Sequence, residues 1–137
     1  MPNKNSHLAT ARDNRDLAIF LLEDERSIAW SATAACYSGL HLIEAAFAHQ
    51  GEHCDDHTQR NSRLKNERSL QSLWRHYRPL YDASLRARYL TTDEGSAEEQ
   101  IRISVGVDAA RKQLMDHHLR QLEKSVAKRI DVETIFE

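Results

Sequence analysis

Residues 27 to 61 read SIAWSATAACYSGLHLIEAAFAHQGEHCDDHTQRN, and this stretch decides the fold. Its first part, residues 27 to 43, contains no Lys, Arg, Asp or Glu, although 29% of the chain is charged. Apolar residues recur every three or four positions from Ala29 to Phe47, which is the spacing of one helix face. A helix with so little polar surface is usually the central one of a bundle.

A second stripe on the same helix is polar. Tyr37, His41 and Glu44 are spaced so that they share another face of the helix. Polar groups on a helix that is otherwise suited to burial need hydrogen-bond or ionic partners. The stripe therefore predicts either a functional site or a buried network, in which Glu44 pairs with Arg60 or Arg88 and fixes the helix packing.

The remaining periodicity predicts an all-α protein, a bundle of four main helices with a short fifth helix. We expect a first helix from about Ser6 to Glu23. The central helix should run from about Ser27 to His49 and be ended by Gly51, because glycine readily takes the left-handed conformation that follows a helix.

A third helix should start at His57, because Asp56 and Gln59 have the spacing of a capping box. Pro79 lacks an amide hydrogen and disfavours helix at the residue before it. It therefore predicts a kink or break, with a fourth helical piece over residues 80 to 89.

Residues 101 to 107 alternate between apolar and polar or small side chains. We interpret them as an extended lead-in to a last helix, capped by Asp108 and ending near Arg129. The whole chain then forms a single domain over residues 1 to 130, followed by a flexible tail over residues 131 to 137.

Charge and cysteine content limit the classes of function. The formal net charge is −2 and the pI about 6.4, so no overall basic field indicates nucleic acid. The segment from Arg60 to Arg88 is nevertheless mainly basic, which predicts either a solvated helix face or an anion-binding surface. Two cysteines make no disulfide framework, and no signal-peptide core or membrane span is evident. A reduced, cytoplasmic protein is expected.

Short motifs follow one another in a recognisable order along residues 8 to 130. They are Tyr37 and His41 in the apolar helix, then Gly51, then His57, Arg60 and Asn61, then Tyr77 and Leu80, and finally Ser84, Ala87, Arg88 and Tyr89. This order resembles small prokaryotic HEPN-like (higher eukaryote and prokaryote nucleotide-binding) helical proteins. The resemblance implies an up-and-down helical bundle that dimerises through its helices. Many such proteins act on RNA as toxins or defence nucleases, and others are non-catalytic partners of nucleotidyltransferases.

The resemblance also places the third helix start near the polar stripe and near the end of the basic segment. A helix N-terminus attracts anions, so this corner suits a phosphate. The predicted RNA- or nucleotide-binding cluster consists of Tyr37, His41, Glu44, His57, Arg60, Asn61, Arg88 and Tyr89.

The catalytic branch of the resembled proteins carries an Arg followed, after a short interval, by a His near the start of a late helix. Two subunits together then form a metal-free ribonuclease site. Arg111 with His117 or His118 has this spacing. Arg can stabilise the phosphorane charge, and His can move a proton. On an α-helix Arg111 and His118 share a face, whereas His117 is rotated away by about 120°. Alternatively, Arg111 and His117 face solvent and His118 borders the core.

Histidines also crowd around one loop, where His49, His53, Cys54 and His57 could supply metal ligands. Surface histidines in a polar loop are the preferred interpretation, and neither a metal nor a cofactor is predicted.

The sequence thus favours a HEPN-like homodimer that binds RNA or a nucleotide, with ribonuclease activity left open. A toxin–antitoxin role with a nucleotidyltransferase-like partner would fit the resemblance. The alternative is a non-catalytic protein-interaction module whose polar cluster is structural.

Dimerisation is also expected from the aromatic residues, because there are more of them than one four-helix core needs. They are Trp30, Trp74, Tyr77 and Tyr81.

Overall fold

The computed structural model describes residues 2–89, 108 and 110–136, which form helices α1 to α5. The helices are α1 (Lys4–Leu21), α2 (Ile28–His49), α3 (His57–Asn66), α4 (Gln71–Arg88) and α5, whose two parts are Ala110–Leu119 and Arg120–Arg129. The all-α prediction is confirmed for these residues, which contain no strand. None of the described helices is long and apolar enough to cross a membrane.

The central position of α2 is confirmed, because it packs against α1, α4 and α5. Two of its buried hydroxyls donate to the backbone of α1. Ser31 Oγ donates to the carbonyl oxygen of Ala18 at 2.8 Å, and Ser38 Oγ donates to that of Ala11 at 2.7 Å. These short side chains let the two helices lie close together while both hydroxyls keep a hydrogen-bond partner.

Gly39 allows a similarly close approach on the other side of α2. A Cβ added there would lie 3.0 Å from a side-chain carbon of Leu80 and 3.1 Å from one of Leu122. The small residue therefore lets α4 and α5 pack directly on the α2 backbone.

The helix break lies before Pro79 rather than at it. The backbone of Glu67 is extended, a 3₁₀ turn follows, and α4 then continues through Pro79 to its end. The proline is tolerated because Tyr77 and Leu80, close on either side of it, are fully buried and hold this part of α4 in the core. The prediction of a break at Pro79 was wrong because it took only the local sequence into account.

The last helix ends at Arg129 as predicted, but its first part is unusual. Ala110–Leu119 is π-helical, so its backbone hydrogen bonds follow the wider i→i+5 pattern. Asp108, expected as a cap, is itself helical. The extended segment predicted for residues 101 to 107 lies outside the described residues.

The C-terminal residues pack against the bundle instead of forming a loose tail. Ile135 and Phe136 are only 1% and 8% exposed. The buried carboxylate of Glu123 accepts hydrogen bonds from their backbone N–H groups at 3.1 and 2.7 Å. Arg12 and Arg15 of α1 donate to their carbonyl oxygens, each at 2.7 Å. The folded domain therefore extends beyond residue 130.

Glu123→Ala should release this segment. The variant should lose about 2–3 kcal/mol of unfolding free energy in urea titration, because two buried N–H groups lose a charged acceptor. Hydrogen exchange at Ile135 and Phe136 should accelerate. The matched control is Glu133→Ala, an exposed carboxylate in the same segment, which should change stability by less than about 0.5 kcal/mol. Unchanged exchange at the two amides in Glu123→Ala would contradict this docking.

Candidate functional site

The polar cluster predicted from the sequence is centred on an ion pair between α2 and α3. Arg60 Nε donates to Glu44 Oε1 at 2.7 Å. The two side chains are only 7% and 2% exposed, so both charges lie out of water. This contact is the one expected in the structural alternative, where Glu44 fixes the packing of the helices.

The second carboxylate oxygen of Glu44 ties down the loop between α2 and α3. The backbone N–H of Cys54 donates to it at 3.5 Å, and His53 Nδ1 lies 3.6 Å from it. The other ring nitrogen of His53 lies 3.3 Å from an oxygen of Asp55. Glu44 is therefore the point at which the loop and α3 are both attached to the central helix.

The histidines in and next to this loop contact different partners. Lys4 Nζ donates to His49 Nδ1 at 3.4 Å, in the last turn of α2 directly before the loop. His53 contacts carboxylates, and Cys54 is buried. In the part of the chain that the structure describes, these side chains and His57 do not form the metal-ligand group that their sequence spacing allows.

His57 lies beside the buried ion pair at the start of α3. Asp56 caps the helix as predicted, because its side chain accepts from the N–H of Gln59 at 2.7 Å. Arg60 donates to His57 Nδ1 at 3.4 Å. Burial lowers the pKa of His57, and the positive charges of Arg60 and Arg88 lower it further. His57 is therefore uncharged near neutral pH, and the Asp56 carboxylate already occupies the helix end that was expected to attract an anion.

Arg88, at the end of α4, completes the cluster. Its guanidinium carbon lies 5.9 Å from the ring centre of Tyr37 and 5.1 Å from that of Tyr89, both within cation–π range. Its nitrogens donate to the backbone and hydroxyl oxygens of Ser84 at 3.4 and 3.3 Å. Among the described residues Arg88 has no carboxylate partner. We call Arg88, Tyr37, Tyr89 and His57 the Arg88 corner.

His41 and Asn61, also in the predicted set, lie at the edge of the cluster. His41 Nδ1 is 3.0 Å from His7 Nδ1 on α1, and burial lowers the pKa of both imidazoles. Asn61 is half-buried, and its side-chain oxygen has no hydrogen-bond partner among the described residues. Sequence reasoning missed His7, although its position one turn before Ala11 on the apolar stripe of α1 is a usable signal.

The predicted catalytic residues on α5 do not converge within the chain. Arg111 is exposed and lines a groove on the α1 side, whereas His118 lines a groove on the α4 side together with Arg78. The expectation that Arg111 and His118 share a face does not hold. It assumes α-helical periodicity, but Ala110–Leu119 is π-helical.

His117 and His118 instead meet His76 of α4. The ring centre of His76 lies 5.4 Å from that of His117 and 5.6 Å from that of His118. The rings of His117 and His118 are 4.7 Å apart. Sequence reasoning missed His76, because no spacing rule connects a residue of α4 with a histidine pair on α5.

Comparisons with known protein families, with characterised proteins and with solved structures find no match to this chain. The HEPN-like resemblance therefore rests on the order of the motifs alone. What the chain binds has to be inferred from its own side chains.

Breaking the buried ion pair should be costly. Glu44→Ala should lower the unfolding free energy by about 3–5 kcal/mol in urea titration, because Arg60 stays buried without its partner. The double variant Glu44→Leu, Arg60→Met should recover most of that loss, since apolar residues of similar volume need no charge partner.

The control for this experiment is Glu52→Ala, which removes a partly exposed carboxylate 2.9 Å from Arg63. Its cost should stay below about 1 kcal/mol. A cost for Glu44→Ala as small as that of Glu52→Ala would show that the buried pair does not hold the cluster together.

Proposed function

We propose that the chain binds a nucleotide unit at the Arg88 corner, either as a free nucleotide or within single-stranded RNA. The observation that carries this proposal is a guanidinium beside two tyrosine rings, with no carboxylate partner among the described residues. Arginine binds phosphate through charge-assisted hydrogen bonds. Tyr89 is 61% exposed, and exposed aromatic side chains can stack on nucleobases.

The buried ion pair explains why Arg88, and not Arg60, is the proposed ligand-binding cation. The charge of Arg60 is neutralised by Glu44 and is shielded from solvent. Its guanidinium could reach a ligand only by leaving Glu44 buried and unpaired, which is strongly unfavourable. Arg60 therefore positions α3 and influences the titration of His57.

His57 makes phosphate binding dependent on pH. In the free protein its pKa is lowered by burial and by the neighbouring arginines. A phosphate bound beside it would stabilise the imidazolium form and raise that pKa. Ligand binding is then coupled to proton uptake, so the affinity should increase as the pH falls.

The HEPN-like resemblance supports the same proposal, because it implies a bundle that binds nucleotides or RNA. We do not extend the proposal to RNA cleavage. Within one chain Arg111 and His118 line different grooves, so cleavage would require the pair to be assembled from two chains.

Arg88→Ala should weaken binding of both AMP and a labelled single-stranded oligoribonucleotide by about tenfold or more. Tyr89→Ala should weaken it by a similar factor through lost stacking. The affinity of the unaltered protein for the oligoribonucleotide, whose phosphodiesters do not titrate in this range, should rise between about pH 8 and pH 6, and His57→Gln should abolish this dependence. Fluorescence anisotropy with the oligonucleotide, and calorimetry with AMP, measure these affinities.

The matched control is Arg86→Ala, which removes the same charge two residues earlier but from the groove that faces α5. It should change either affinity by less than about twofold. Equal losses for Arg86→Ala and Arg88→Ala would indicate an unspecific charge effect and overturn the proposed site. Binding of the oligoribonucleotide but not of AMP would assign the corner to RNA.

A second candidate function, association with another protein chain, rests on a different observation. Large apolar side chains are exposed at the closed end of the α1–α2 hairpin, where the hydrogen bond from Ser31 to Ala18 holds the two helices together. Such a concentration of apolar side chains is typical of an interface. The side chains and their exposed fractions are Leu17 (47%), Ile19 (44%), Phe20 (66%) and Trp30 (66%).

We propose a second copy of the chain as the partner at this hairpin end. Exposed charges of both signs lie close to these residues in the sequence, where Asp16 pairs with Arg15 and Arg26 pairs with Asp24. A two-fold interface places the same surface opposite itself and can bring charges of opposite sign together at its rim. The dimer implied by the HEPN-like resemblance agrees with this arrangement.

Phe20→Ser combined with Trp30→Ser should convert a dimer into a monomer of 15.8 kDa. Sedimentation equilibrium over a range of concentrations measures the change. Val132→Ser, at an exposed apolar residue outside the hairpin, is the control and should leave the dimer intact. A monomer mass at every concentration of the unaltered protein would contradict the proposed self-association.

A further inference from the structure

Three histidine side chains form a compact cluster between α4 and α5. One ligand nitrogen from each of His76, His117 and His118 lies within 4.8 Å of the other two. His76 and His118 are half-buried, and His117 is exposed. In the described part of the chain no other set of three His, Cys, Asp or Glu side chains is gathered this closely.

The spacing of the nitrogens suits a metal ion. In a tetrahedral site with Zn–N bonds of about 2.0–2.1 Å, two ligand nitrogens lie about 3.3 Å apart. His76 Nδ1 and His118 Nδ1 are separated by 3.3 Å. A nitrogen of His117 lies within 4.8 Å of one nitrogen of each of the other two rings, and an exposed side chain can approach them further by changing its rotamer.

We propose that His76, His117 and His118 together bind one divalent transition-metal ion, with Zn²⁺ the favoured ion, and leave its fourth position open. Three imidazole nitrogens with an open position are a common ligand set for zinc. Mg²⁺ and Ca²⁺ prefer oxygen ligands, and the cluster offers none. Cys36 and Cys54 are buried and do not belong to the cluster, so a thiolate-rich site is excluded there.

The π-helix is a second, independent observation in favour of a site. His117 and His118 are adjacent in sequence, and adjacent residues of an α-helix point about 100° apart. Both rings nevertheless contact His76, and both lie in the π-helical part Ala110–Leu119. π-helical turns are rare and occur frequently at functional sites. The wider turn allows two neighbouring imidazoles to face α4.

The surroundings of His76 and His118 favour the neutral imidazole. Burial, the other imidazoles of the cluster and, for His76, the nearby Arg75 lower the pKa values of His76 and His118. The neutral form is the one that binds metal, so protons compete little near pH 7.

The charges in the groove beside His118 indicate which kind of fourth ligand a bound metal would prefer. It contains Arg78 and Arg86, and Asp82 lies 3.7 Å from Arg78. The excess positive charge disfavours a free cation but favours an anion on the bound metal, such as hydroxide or phosphate.

Metal titration of the full-length protein, after removal of metals by a chelator, tests the proposal. The unaltered protein should bind one Zn²⁺ per chain with a micromolar or lower Kd at about pH 7.5, and about tenfold more weakly at about pH 6. His76→Ala and His118→Ala should each weaken binding at least tenfold. Co²⁺ should give the strong visible absorption of a four-coordinate site, and both variants should lose it.

The matched controls are His49→Ala and His53→Ala, which remove histidines outside the cluster and should keep full affinity. Circular dichroism and the urea midpoint without metal establish that each variant is folded, and His76→Gln replaces His76→Ala if the alanine variant is not. Unchanged Zn²⁺ affinity in His76 and His118 variants would overturn the proposal. The affinity for AMP at the Arg88 corner is measured in the same variants. A failure of the metal proposal can then be told apart from a failure of the nucleotide proposal.

Discussion

The burial of two opposite charges, Glu44 and Arg60, is the constraint on which the polar part of this molecule depends. Removing either charge from water alone costs several kcal/mol, so each side chain requires the other. The same carboxylate accepts from the Cys54 amide, which fixes the path of the loop into α3. The position of His57 beside Arg60 follows from this one contact.

The fold could be predicted wherever the signal is local. Gly51 ends α2 with a positive φ of 75°, which glycine adopts without strain, and Asp56 caps α3. The errors arose where distant parts of the chain decide. Pro79 remains helical because its neighbours are held in the core. The docking of Ile135 and Phe136 was not predicted because their acceptor, Glu123, is distant in the sequence and contacts them only in the folded chain.

The sequence predicted which residues of α2, α3 and α4 lie together in the polar cluster, but it did not predict what each of them does there. The polar stripe on α2 identified Tyr37 and Glu44, and motif order added Arg60 and Arg88. Which arginine is buried in an ion pair, and which has no carboxylate partner among the described residues, depends on how α3 and α4 pack, and sequence spacing does not contain that information. The histidine cluster was missed for the same reason, since His76 meets its partners only through the pairing of α4 with α5.

Helix α4 carries both proposed sites and keeps them apart. His76 and Arg88 are separated by roughly 18 Å along the helix at about 1.5 Å per residue. A metal ion at the histidine cluster therefore cannot contact a phosphate that the same chain holds at the Arg88 corner. A single nucleotide is too short to reach both sites, whereas a strand of several nucleotides, or a ligand shared by two chains, can do so. A functional link between the sites would therefore appear as a dependence of affinity on RNA length, and AMP binding would not show it.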